Sequence, residues 1–166
     1  VALPVWIPGS YLVREFAKNL QKLTARQGRQ PIALQQLDKA RWRADCTDRQ
    51  PLVLEYEVYA LDNSVRTAWL DADRGFFNGT SLCLQVRGQE HQPHELTLAS
   101  TRATRSWQVA TGLTAMETDE RGFGRYRADD YDSLVDHPFE LGTFWSGAFT
   151  ACGVPHRFVV AGALPS

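Results

Sequence analysis

Residues 52–61 read LVLEYEVYAL, and their strict alternation constrains the fold more than any other feature of the chain. Leu52, Leu54, Tyr56, Val58 and Ala60 share one face, while Val53, Glu55, Glu57 and Tyr59 share the other. Side chains of a strand point to opposite faces in turn, so this segment predicts a strand that covers a core on one side only. Shorter β-like runs separated by Gly, Pro or polar turns recur at 20–27 (closed by Gly28), 32–37, 41–44 around Trp42, and 65–70. They continue at 81–86, 95–99, 106–110, 139–144, 147–151 and 156–161, with a turn-rich loop at 71–79 and a further apolar run at 1–7. Around ten strands predict a mostly β domain, a two-sheet β-sandwich or saddle with one or two short helices. Residues 10–20 supply one helical candidate, with Ser10 as N-cap and Leu12, Val13, Phe16, Ala17 and Leu20 at helical spacing; a loop leading into a strand fits equally. Residues 129–135 supply the other, with acids at the positive end of the helix and Pro138 stopping it.

A length of 166 residues predicts one domain, 1–166, large enough to bury its own core without a metal or disulfide staple. The formal net charge of -1, with arginines scattered along the chain, excludes nucleic acid as a main partner. No apolar run reaches 18 residues, so no helix is predicted to span a membrane. Both ends fall close to strand-like runs, and the expectation is a piece of a longer protein. Cys46, Cys83 and Cys152 are too few and too far apart for a disulfide framework or a zinc motif. They are expected to be small buried hydrophobes, in keeping with a reducing compartment.

No complete catalytic or metal site is written in the chain. His94-Glu95 begins like the helical HExxH zinc motif, which needs a second His four residues on, but Leu98 stands there and the run alternates as a strand. His91, His137 and His156 have no ligand-like neighbours in sequence. The stretch from Asp71 to Gly75 lacks the further oxygen ligands of a calcium loop and reads as an aspartate-capped turn. Asn78-Gly79-Thr80 has the glycosylation pattern, which matters only in a secretory setting. Ser10 is not in a nucleophile elbow, and the abundant aromatics are read mainly as core, with a sugar-binding face as the other use.

Two stretches go beyond a generic β protein. One runs LPVWIPGSYLVREF from Leu3 to Phe16 and on to Asn19, and the other joins SVRTAWL (64–70) to RGFFNGT (74–80). With WQVATGL (107–113), YDSLVDHP (131–138) and GVPHR (153–157), they make the chain resemble the N-terminal domain of the glycyl aminopeptidase family of zinc metallopeptidases. The resemblance implies a non-catalytic domain whose partner is its own C-terminal catalytic domain. That domain would carry zinc and act on peptide substrates, a PDZ-like domain would usually follow, and no cofactor is implied in this segment. It also implies a bacterial protein, cytoplasmic or periplasmic, in which the β domain forms one wall of the substrate cleft. The substrate-facing candidates it suggests are Glu15 and Asn78, whose oxygens can accept from an ammonium group, flanked by Tyr11, Arg14 and Arg66. Tight turns and surface contacts are the plainer role for the same residues. The alternative function is a free-standing carbohydrate- or peptide-binding β-sandwich, and a purely architectural domain is a third reading.

Overall fold

The computed structural model describes residues 1–7 and 9–162. The chain is mostly β with two short α-helices, as its sequence predicts, and the strands gather in five small sheets among the described residues. Strands β1 (Leu20–Gln27), β2 (Gln30–Pro31) and β5 (Leu52–Val58) form one antiparallel sheet in the order β2-β1-β5. Strands β3 (Leu34–Gln36) and β4 (Trp42–Ala44) make a hairpin beside it. A four-stranded sheet orders β6 (Ala68–Leu70), β7 (Arg74–Phe77), β12 (Phe139–Gly142) and β9 (Gln108–Ala110) as β6-β7-β12-β9. A further sheet has β11 (Gly124–Ala128) between β10 (Thr114–Thr118) and β8 (His94–Leu98). The last is a hairpin of β13 (Phe144–Ala151) and β14 (Val154–Ala161). The helices are α1 (Gly79–Leu82) and α2 (Tyr131–Asp136).

Two apolar clusters hold these sheets together. The larger contains Trp107, Val109, Phe123, Tyr126, Tyr131, Leu134 and Phe139, and Phe139 stacks on Phe77 with ring centroids 4.8 Å apart. The smaller packs Leu3, Ile7, Phe16 and Trp42. Segment 79–85 is the seam between them. Gln85 exchanges backbone hydrogen bonds with Ala2 (2.9 and 2.7 Å), and the Tyr131 hydroxyl donates to the Cys83 carbonyl at 2.7 Å.

Several expectations need correction. Residues 1–7 do not form a strand; Ala2 makes isolated bridges to Arg41 and Gln85, and Leu3 is buried at 1% exposure. Within 10–20 the helical alternative fails and the loop leading into a strand forms, with a 3-10 turn at Phe16–Asn19 before β1; of the apolar set only Phe16 is buried while Leu12 and Val13 face solvent. Residues 81–86 begin inside α1 instead of forming a strand. The turn-rich 71–79 stretch contains β7, a central strand, and 114–118 and 124–128 form strands that the pattern did not show. Cys46 and Cys152 are exposed; Cys83 alone packs against the core, where burial pushes its thiol up to about 11.

Strand β7 is pinned to β12 by charge as well as by its ladder. Arg74 meets Glu140 through two hydrogen bonds, Nε–Oε1 at 2.7 Å and Nη2–Oε2 at 2.9 Å, and its third nitrogen reaches Asn63 Oδ1 at 2.9 Å. Glu140 is the more enclosed partner, with 16% of its side chain exposed. A bidentate, partly shielded pair of this kind is stronger than an exposed surface pair. Glu140→Gln is expected to lower unfolding free energy by about 2 kcal/mol, the scale of hydrogen bonds to charged groups. Urea denaturation checks this, with the midpoint falling and the slope unchanged.

Candidate functional site

The residues singled out in the sequence occupy two loops. Tyr11, Arg14 and Glu15 lie on the loop before the 3-10 turn. Tyr11 is fully exposed, the Arg14 Nε donates to Ser10 Oγ at 3.2 Å, and the Arg14 backbone N–H donates to Val5 O at 2.7 Å. Glu15 pairs with Lys39 at 2.7 Å, and that hydrogen bond holds its carboxyl below the usual value. Arg66 is exposed on the loop before β6. The Asn78 side chain donates to the Val65 carbonyl, tying the second loop to the start of α1. Arg14, Glu15 and Asn78 therefore each spend a polar group on holding a loop.

The two loops approach each other through short elements: Cα atoms of α1 come within 8 Å of those of the 3-10 turn. Val5 lines a cavity of about 400 Å³ with Glu15 and Lys39, and also a neighbouring cavity of about 550 Å³ with Trp6, Thr80, Asp132 and Asp136. The larger cavity is the feature that sequence reasoning missed. Its acids sit on α2, where Asp130 is the N-cap and accepts from the Ser133 backbone N–H at 2.7 Å. That bond holds the Asp130 carboxyl below its ordinary 3.8. The four-residue spacing of Asp132 and Asp136, the second just past the predicted 129–135 helix, was the available signal, but the wall opposite them is built by residues more than a hundred positions away.

The fit of a metal can be judged from the donors. His94 and Glu95 are adjacent on β8, so they leave the strand on opposite faces. The His94 ring packs edge-on to Tyr131 at 5.6 Å, while Glu95 lies 3.8 Å from Arg125. Among the described residues no three His, Cys, Asp or Glu side chains are gathered to hold an ion. The described residues do not fit a zinc site.

What places α1 against α2 is Gly79. A Cβ there would stand 3.1 Å from both the Leu134 carbonyl oxygen and the Val135 Cα, and 3.2 Å from Val135 Cγ1. The NGT sequence is therefore a packing requirement of this corner of the fold.

A small β domain with a cavity between its N-terminal segment and two short helices, and no metal-ligating cluster among its described residues, is the class of module that structure alone defines. The comparisons make it specific. The family model for the peptidase M61 N-terminal domain matches residues 1–143. A crystal structure of an aminopeptidase N family protein from Idiomarina loihiensis is similar at a TM-score of 0.93 and 42% identity, over 98% of this chain and 27% of that one. No curated protein matches the chain. The chain belongs to the peptidase M61 N-terminal domain family, which bears out the resemblance read from its landmarks. It spans about a quarter of the length of the aminopeptidase N family protein.

Gly79→Ala sets helix propensity, which favours Ala by about 1 kcal/mol, against overpacking on α2, which costs about 1–3 kcal/mol. Two of the three close atoms are backbone, so overpacking is expected to win and the melting temperature to fall. A differential scanning calorimetry trace showing a rise instead would mean that α2 yields freely.

Proposed function

We propose that this chain is the non-catalytic N-terminal domain of a zinc-dependent aminopeptidase, that it packs on the catalytic domain, and that it forms one wall of the substrate cleft. In this reading zinc and the hydrolytic machinery lie outside the described residues, and peptide substrate meets this domain only in the intact enzyme. The loops bearing Tyr11, Arg14, Glu15, Arg66 and Asn78 are the candidate substrate-facing edge. Family membership supports the domain assignment.

The observation that carries the packing role is the β13–β14 hairpin. Its strands pair from Phe144↔Ala161 to Ala151↔Val154, and Cys152 and Gly153 turn the corner with φ of 50° and 78°. Two left-handed residues make the type of two-residue turn that matches strand twist. The register puts Trp145, Phe149, Val154 and Phe158 on one face, and each is exposed by half or more. The Trp145 indole lies across Gly147, where a Cβ would meet it at 2.6 Å, so the face is broad and aromatic. A two-stranded ribbon is marginal by itself, and apolar surface gathered on one face marks an interaction site.

The test is made in the intact enzyme. Trp145→Ser together with Phe158→Ser is expected to lower kcat/KM on a glycyl peptide amide at least tenfold, while the same pair leaves the circular dichroism of the 166-residue chain unchanged. Zinc chelation is expected to abolish hydrolysis by the intact enzyme without moving the melting curve of this chain. Full activity in the hairpin variant would remove the packing role.

A further inference from the structure

We infer that the 550 Å³ cavity between residues 4–6, α1 and α2 binds the long cationic side chain of a peptide. Three independent features converge on it. Asp132 and Asp136 are one helical turn apart, line the cavity, and are both exposed. Like charges at this spacing repel. Among the described residues no cation lies within 4.0 Å of Asp132 or Asp136. The chain thus leaves a negative helix face open toward a cavity.

The wall across from them is apolar. Val5 and Trp6 line it, and the Trp6 Nε1 donates to the Ser10 carbonyl at 2.6 Å, which fixes the indole. An indole face attracts a cation and packs against methylenes. Thr80 lines the same cavity at 1% exposure, and its Oγ1 has no hydrogen-bond partner among the described residues. A buried hydroxyl in that state is unsatisfied, at a cost in free energy.

These features select the ligand class. A metal ion would need a further ligand cluster, which the described residues lack. A bare α-amine has no methylene stem and would leave Val5 and Trp6 unused. A lysine-type side chain uses both walls, with its stem on the indole and its ammonium between the carboxylates, and the volume suits one side chain with its flanking backbone. The inference concerns this chain alone, so it stands or falls separately from the packing role.

The test uses the 166-residue chain, labelled with nitrogen-15 and titrated with Nα-acetyl-lysine N-methylamide. Saturable shifts are expected at the Trp6 indole N–H and at the amides of residues 131–136. The uncharged norleucine analogue and glycinamide are each expected to bind at least tenfold more weakly. Asp132→Asn combined with Asp136→Asn, which relieves repulsion and keeps the fold, is expected to weaken the lysine probe at least tenfold. Equal binding of the norleucine analogue, equal binding of glycinamide, an unaffected double variant, or no saturable shift would each overturn the inference.

Discussion

The contact of Gly79 with the backbone of α2 is the constraint on which the rest of the molecule depends. The two apolar clusters are built on different sheets and meet along residues 79–85. This segment can lie close only because α1 starts on a residue without a side chain, 3.1 Å from α2 by the position a Cβ would take. Once it is seated, Tyr131 and Tyr56 donate to the carbonyls of Cys83 and Leu82 at 2.7 and 2.6 Å. Both are phenols that burial drives toward the neutral, donating form. Thr80 is then carried to the cavity and Gln85 to its bonds with Ala2. Packing at one glycine thus sets the relation of the cores and the shape of the surface between them.

The sheets were legible where one face is wet and the other dry. Strand β5 shows this alternation from Leu54 to Val58, and β1 and β14 lie where the runs predict them. The N-terminal acids of 129–135 also marked α2, whose N-cap is Asp130. The failures have local causes. Every residue of β10 is exposed, so no apolar face announces it. Strand β7 opens with Arg74-Gly75 after two aspartates, a composition that reads as a turn, yet Gly75 is buried with Leu141 side-chain atoms 3.4 Å from where its Cβ would be. In the 10–20 stretch, of the two alternatives the helix fails and the loop leading into a strand holds: it is fixed by Ser10, Trp6 and Arg14 bonds instead of by a buried helical face.

The candidate site was legible only as loops. The 3-10 turn at Phe16–Asn19 and α1 do approach each other, but three of the five residues singled out on the adjoining loops use their polar groups within the fold. The acids opening the 129–135 segment were read as helix-end acids, which Asp130 is. The exposure of the cavity acids to an apolar wall made by Val5 and Trp6 is a tertiary fact, with no period or motif to signal it.

In the proposed packing role this domain supplies a docking surface, and the β13–β14 hairpin is the part of it with four exposed apolar side chains on one face. Amide hydrogen exchange across residues 144–161 tests the account most directly, measured in this chain and in the intact enzyme. Docking on a catalytic domain predicts rapid exchange in the chain alone and protection increased at least a hundredfold in the enzyme, roughly 3 kcal/mol of added local stability. Equal exchange in both would contradict it.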